Sequence, residues 1–300
     1  MVELRAMGTT VTVHAPTLSV EGEAAAAAEV GALFATAEAR FSRFRPDSEL
    51  AQLNCATGPF AASPAMMAAL ARARAYVELT GGRFDPAVGG AMIAAGYDRG
   101  FAPGALDRAT AAAAAPPARF ADVTLDLERG LVVRPPHVQL DLGGMIKGAT
   151  VDLAARHLPE IAALDAGGDA ALRGAGPEGD GWYVDVEDPA DPSRVVVTLV
   201  VRDRAVATSA ANRRRWRRGD AWAHHLIDPA TGAPAATDLA QVTIVAHRAE
   251  RAEILAKAVF IAGARAGRAL LANLPTIGAV LVDHRGDVEL IGPLEVAPDA

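Results

Sequence analysis

Across most of the second half of this chain, short apolar runs are joined by turns too brief to hold a crossover helix, so neighbouring strands must run antiparallel. The runs at 123–127 and 131–134 flank the turn Glu128-Arg129-Gly130, and another run follows at 138–142. Strand-like segments recur at 161–165, 170–173, 182–186, 195–201, 205–209 and 241–247. The runs at 277–283 and 288–291 read as a hairpin around His284-Arg285-Gly286-Asp287. Helical segments interrupt this pattern at about 145–157 and 249–262.

The first half reads differently. Residues 9–14 alternate Thr and Val as a strand does, and 20–41 carry Val30, Leu33, Phe34 and Ala37 at helical spacing. Ser63 and Pro64 supply an N-cap and a first-turn proline for a helix that reaches Thr80 and stops at Gly81-Gly82. Ala111 to Ala115, followed by Pro116-Pro117, reads as a biased loop or a short helix with a hard stop, where structure varies most readily. Hairpins outnumber βαβ units, so the expected class is α+β, with mostly antiparallel sheets and packed helices. No fixed-period repeat and no long polar linker divides the chain, so residues 1–300 are expected to form a single domain.

Composition removes several classes of function. A net charge of −7 argues against general nucleic-acid binding, which draws on a surplus of Lys and Arg. Cys55 is the sole cysteine, which excludes an intrachain disulfide and a thiolate metal site; it reads as a small, partly buried residue near a helix end. The start Met1-Val2-Glu3-Leu4-Arg5 is no signal peptide, and no apolar run reaches the roughly 20 residues of a membrane span. A soluble, cytoplasmic protein is expected, although a trimmed leader would leave the same sequence.

Five strings can carry chemistry. Asp141-Leu142-Gly143-Gly144-Met145-Ile146-Lys147-Gly148 passes from a strand into a helix through a double glycine. Backbone N–H groups there can approach an anion, with Lys147 as an added point charge; a plain chain-reversing turn fits equally well. Asp165-Ala166-Gly167-Gly168-Asp169 is either a tight hairpin or a place where a flat or phosphorylated ligand lies against bare backbone. Ala207-Thr208-Ser209 precedes the cluster Arg213-Arg214-Arg215-Trp216-Arg217-Arg218, read as an exposed strand or turn and not as a nucleic-acid site. His224-His225-Leu226-Ile227-Asp228-Pro229-Ala230-Thr231-Gly232 sets His225 and Asp228 three apart on a strand that stops at Asp-Pro. His225 is either a general base whose tautomer a carboxylate holds, or a packed histidine beside a turn-capping aspartate. Gly81-Gly82-Arg83-Phe84-Asp85-Pro86 is an ordinary turn or a carboxylate presented beside an aromatic ring.

Taken in order, these strings resemble the ApbE-like FAD:protein FMN transferases. The resemblance adds Met7-Gly8-Thr9 and the run Phe41-Ser42-Arg43-Phe44-Arg45-Pro46-Asp47-Ser48-Glu49-Leu50 with Asn54, and it spans nearly the whole chain. It implies a T-fold-related α+β architecture of two packed lobes around a flavin cleft. By that analogy Met7, Phe44, Arg83, Phe84, Asp85, Asp141, Lys147, Thr208 and Leu226 line the FAD site, with Phe44 where the family often has tyrosine. The implied reaction moves FMN from FAD to a Ser or Thr hydroxyl of an acceptor flavoprotein and releases AMP, with His225 as base and Asp228 beside it. Mg²⁺ would bridge the phosphates, and Gly144 with the last helix would hold it.

The last helix departs from the family pattern. Where that pattern places an Asp and, four residues on, a Thr or Ser as metal ligands, this chain has Ala252-Glu253-Ile254-Leu255-Ala256-Lys257-Ala258. Glu253 still offers carboxylate oxygens, but a protonated Lys257 has no lone pair to give a metal. Residues i and i+4 share a helix face, so Glu253 and Lys257 can pair with each other. Three readings stand open: a solvated Glu–Lys pair in a different register, an ammonium that replaces the cation, or a lost metal site. The last would leave an FAD pyrophosphatase giving FMN and AMP, or a non-catalytic FAD binder. The expectation drawn is a Mg²⁺ dependence weaker than the family norm.

Overall fold

A computed structural model gives the fold and describes residues 1–98, 117–218 and 221–298. Among the described residues are six α-helices: α1 (Val20–Phe41), α2 (Glu49–Cys55), α3 (Pro64–Leu79), α4 (Gly89–Ala94), α5 (Gly143–Ala155) and α6 (Ala249–Ala272). The alanine-rich stretch at 111–116 lies outside the described residues. The chain divides into two compact units, one of Met1–Ala35, Lys147–Ala210 and Thr237–Ala300, the other of Thr36–Ile146 and Ala211–Ala236.

The first unit is built on an eight-stranded sheet in the order Val2–Ala6, Thr9–His14, Ala162–Ala166, Asp169–Arg173, Arg204–Ala210, Leu239–Ala246, Gly278–Asp283 and Val288–Ile291. Every neighbouring pair is antiparallel, the three hairpins because their turns are short and the other pairs across longer connections, one of them through α6. The edge strand Val2–Ala6 is additional to those expected from the sequence; its Glu3 and Arg5 face solvent between half-buried Val2, Leu4 and Ala6. Period-2 alternation sorts the two faces. Val11, Val13, Leu164, Ala171 and Ala205 pack with Ala27, Val30 and Phe34 of α1 and with Val151 and Ala154 of α5. Leu172, Val206, Val245, Val280 and Val282 pack instead on Trp182, Val186, Leu199 and Val201 of the hairpin Trp182–Glu187/Val195–Val201. Burying side chains such as Phe34 contributes about 1.5–3 kcal/mol each.

Helices α5 and α6 meet where Gly148 stands. A Cβ at that position would lie 2.7 Å from the backbone of Ala249 and Glu250, so the close approach requires glycine. Asp152 of α5 caps α6, its carboxylate accepting from the N–H groups of Ala249 (2.7 Å) and Glu250 (3.1 Å). The sequence places the end of α6 near residue 262, and the backbone breaks at the next residue. Gly263 takes φ +76°, and Asp238 Oδ1 accepts from Ala264 N–H at 2.9 Å to start a second helical segment.

The second unit contains α2, α3, α4 and a small sheet in the order Phe60–Ala61, Leu131–Val133, Thr124–Asp126. The start of α3 is the one legible in the sequence, while the cap of α2 and the helix α4 were not read there. Ser63 accepts from Met66 N–H at 3.2 Å with Pro64 behind it, and Ser48 caps α2 from Ala51 N–H at 3.0 Å. The segment 138–142, expected as a strand, is not one. Its hydrogen bonds go elsewhere: Asn54 accepts from Leu140 N–H and donates to Leu140 C=O, both at 2.8 Å. Asp141 N–H donates to Pro86 C=O at 2.8 Å, and Gly89 N–H to Gln139 C=O at 3.0 Å. One side-chain amide thus does the work of a strand partner. Cys55 ends α2 as expected, but it is exposed and not partly buried. Among the described residues, no helix is long and apolar enough to cross a membrane.

Candidate functional site

In the second unit, two of the residues assigned to flavin, Phe44 and Asp141, meet at Arg43, which the sequence reading passed over. Its guanidinium donates to the Asp141 carboxylate and to Tyr97 C=O, and it lies 4.1 Å from the ring centre of Phe44 and 4.9 Å from that of Tyr97. Arg43 and Asp141 are both buried, and Asp141 Oδ1 also accepts from Gly143 N–H at 2.7 Å, fixing the turn into α5. Phe44 itself is more than a third exposed, despite the guanidinium and its edge-on contact with Tyr97. Tyr97 stacks on Trp216, ring centres 5.5 Å apart, and Trp216 Nε1 donates to Ala95 C=O at 2.8 Å. Trp216 is fully buried among Met92, Ala95, Tyr97, Ala223 and Ile227. The arginine cluster is therefore the strand Arg215–Arg218, with Arg215 and Arg217 outward and the tryptophan inward.

The strand paired with it, Ala221–His224, ends one residue before His225, and Ile227–Asp228 resumes pairing with Ala233–Pro234. The continuous strand expected through 225–228 is thus broken at His225 and Leu226. The two adjacent histidines differ. His224 accepts from Leu226 N–H at Nδ1 (3.3 Å) and reaches Ala235 C=O from Nε2 (3.2 Å), and burial pushes its pKa down. His225 lies at the break, its Nδ1 3.4 Å from Arg214 C=O and its own N–H on the same oxygen. Asp228 caps the turn: Oδ1 accepts from Ala230 N–H at 2.9 Å, and its carbonyl takes the N–H groups of Thr231 and Gly232. Leu226 is buried, its carbonyl accepting from Ala235 N–H. Asp85 is buried behind Phe84 and accepts from the N–H groups of Ala87 and Phe120. Burial pushes its carboxyl up, and these two donors oppose the rise. Arg83 is half-buried in the same turn, and Gly144 is the second residue of α5.

In the first unit, Met7 takes φ +48° and Gly8 φ +69° in the turn between the first two strands. Lys147 reaches from α5 to the hairpin Asp165–Asp169, donating to Ala166 C=O at 3.0 Å and to the Asp169 carboxylate. Asp169 is the second residue that the sequence reading missed; it stood in a quoted string but read as part of a turn. Gly167 and Gly168 form that turn with φ +66° and +92°, the tight-hairpin reading of the double glycine. Glu253 and Lys257 pair on α6, Oε1 to Nζ 3.0 Å, while Glu253 Oε2 accepts from Gly148 N–H at 2.9 Å. The solvated-pair reading is therefore set aside, because Glu253 is buried. Burial pushes Asp169 up to about 6 against the pull of Lys147. Burial also opposes the ionised Glu253, but the ammoniums of Lys257 and Lys147 outweigh it and hold that carboxyl below its ordinary range. Thr208 is not part of this group. It pairs with Thr243, Oγ1 to Oγ1 2.9 Å, on the sheet face of Val206 and Val245, whereas Asp169 shares the face of Ala171 and Ala205.

This donor set does not fit Mg²⁺, which demands near-octahedral oxygen ligands at about 2.0–2.1 Å. Both Glu253 oxygens are engaged, Lys257 offers donors only, and Asp169 is held by Lys147. Among the described residues, no group of three or more His, Cys, Asp or Glu side chains could hold a metal ion.

An antiparallel α+β scaffold with glycine-lined turns and buried charge pairs defines a class that comparison makes specific. Residues 7–281 match the ApbE family, and the chain belongs to that family. It is 34% identical over 283 residues to an FAD:protein FMN transferase of Treponema pallidum, covering 86% of this chain and 77% of that protein. It is 31% identical over 229 residues to one of Rhodobacter capsulatus, covering 72% of this chain and 42% of that longer protein. Among solved structures it is similar to the ApbE protein of Thermotoga maritima, with a TM-score of 0.83, 25% identity and 96% of each chain covered. The fold also matches the flavin transferase ApbE of Vibrio cholerae, with a TM-score of 0.79, 24% identity and 97% and 96% covered. The expected fold class is borne out by these matches and by the antiparallel pairing.

Proposed function

We propose that this chain is an FAD:protein FMN transferase. The observation that carries the reading is the family match over residues 7–281, together with relatives that bear this name. FAD is the substrate, and a flavoprotein with a Ser or Thr flavinylation site is the acceptor. The acceptor hydroxyl oxygen bonds to the FMN phosphorus, the pyrophosphate P–O bond to AMP breaks, and AMP leaves with the bridging oxygen. The hydroxyl proton passes to His225. Supporting that role, a tautomer with the proton on Nδ1, towards Arg214 C=O, leaves the Nε2 lone pair as a base. Asp228 acts as a positioning residue that fixes the turn after His225, and not as a proton carrier.

FAD recognition is assigned to Met7, Phe44, Arg83, Phe84, Asp85, Asp141, Lys147, Thr208 and Leu226, with Arg43 added as the brace of Phe44 and Asp141. No step is assigned to Mg²⁺ or to Gly144 as its ligand, since the residues at Glu253 and Lys257 do not suit a metal.

The test incubates the protein with FAD and a flavoprotein acceptor and reads the acceptor's intact mass. An FMN increment is expected on one hydroxyl residue, forming about 10²–10⁴-fold more slowly with His225→Ala. Free FMN and AMP without an adduct would assign hydrolysis instead, and FAD that stays intact would overturn both.

A further inference from the structure

The group Lys147, Asp169, Glu253 and Lys257 is larger than either ion pair alone. Glu253 feels both ammoniums, and Asp169 feels both ammoniums and Glu253. Gly148 N–H on Glu253 joins the two halves next to Lys147. The group is also polarised. The Asp169 and Glu253 side chains are 4% and 1% exposed, whereas those of Lys147 and Lys257 are 13% and 18% exposed. The lysines are thus the members of the group that solvent reaches, and their counter-charges are the members it does not. An anion suits that end and a cation does not. A divalent ion on Glu253 Oε1 would sit beside an ammonium already 3.0 Å from that oxygen. Buried carboxylates also fix the lysines in place, so little rotamer freedom is left to lose on binding.

Resting on the transferase reading, we infer that the ammoniums of Lys257 and Lys147 are the fixed cations for the FAD pyrophosphate, and that this chain uses no divalent ion there. Lys257 supplies as a covalent part of α6 the positive charge that a metal would bring. It adds no Lewis-acid chemistry, only a point charge and up to three N–H donors.

The experiment is a titration of Mn²⁺ into the FAD-loaded protein, followed by electron paramagnetic resonance, in which binding broadens the sharp signal of the aqueous ion. The unaltered protein is expected to leave that signal as FAD alone leaves it. One Mn²⁺ taken up per chain at micromolar concentration would overturn the inference. Lys257→Thr removes the ammonium and adds an oxygen, and is expected to tighten Mn²⁺ binding at least about a hundredfold. An unchanged Mn²⁺ response in a folded Lys257→Thr protein would also overturn it. Lys257→Met is expected to weaken FAD retention, read by flavin fluorescence, about tenfold or more, and unaltered affinity would contradict the phosphate role. The titration of the unaltered protein needs no variant to fold. Because it reads metal occupancy and not turnover, a failure of the transferase reading shows separately, in the acceptor mass.

Discussion

Charge is buried in two different ways in the two units. In the second unit Arg43 and Asp141 form a single pair wrapped by rings: Phe44 and Tyr97 lie against the guanidinium, and Trp216 stacks behind Tyr97. In the first unit Lys147–Asp169 and Lys257–Glu253 form two linked pairs, the lysine side chains more exposed than the carboxylates. The first arrangement holds one partly exposed ring, Phe44, in place. The second presents charge. The two arrangements place opposite requirements on the surroundings of a cation.

The contrast breaks most sharply at Arg43. Arg43→Ala strands a buried carboxylate and removes the brace of two rings, so a loss of about 3–5 kcal/mol is expected in urea unfolding. A loss below about 1 kcal/mol would mean that Asp141 does not depend on Arg43.

Asp169 should make stability depend on pH. Its folded pKa of about 6 lies above the ordinary 3.8, so the folded state holds this proton more tightly than the unfolded chain. The stability it contributes is complete below about pH 3.8 and is lost as pH rises through about 6. Relative to Asp169→Asn, the unaltered protein should therefore lose on the order of 2–3 kcal/mol between pH 4 and 7. A parallel pair of stability curves would show that Lys147 fully offsets the burial.

Asn54→Ala, in the second unit, should cost about 1–2 kcal/mol through the orphaned Leu140 backbone. Faster hydrogen exchange at Leu140 N–H checks the cause.

The same contrast explains what could be read in the sequence. Helices α1 and α3 and the hairpins of the large sheet were legible because caps, periodicity and turn glycines are local signals. The segment 138–142 misled because its apolar pattern is that of a strand, while its partner is the side chain of Asn54, some 86 residues earlier. Arg43 and Asp141 are 98 positions apart, and no spacing rule joins them. Tyr97 and Trp216 carry no motif at all. Glu253 and Lys257 were legible as a pair because i and i+4 meet on any helix. Their burial, and the link through Gly148 to Lys147 and Asp169, depend on how α5 crosses α6.

As proposed above, FMN leaves FAD on this chain with Lys257 in the role of the cation. Accumulation of the FMN mass increment on an acceptor flavoprotein, followed in excess chelator and in added Mg²⁺, tests it most directly. The same rate is expected in both. An increment that forms only when Mg²⁺ is supplied, and vanishes with chelator, would contradict it.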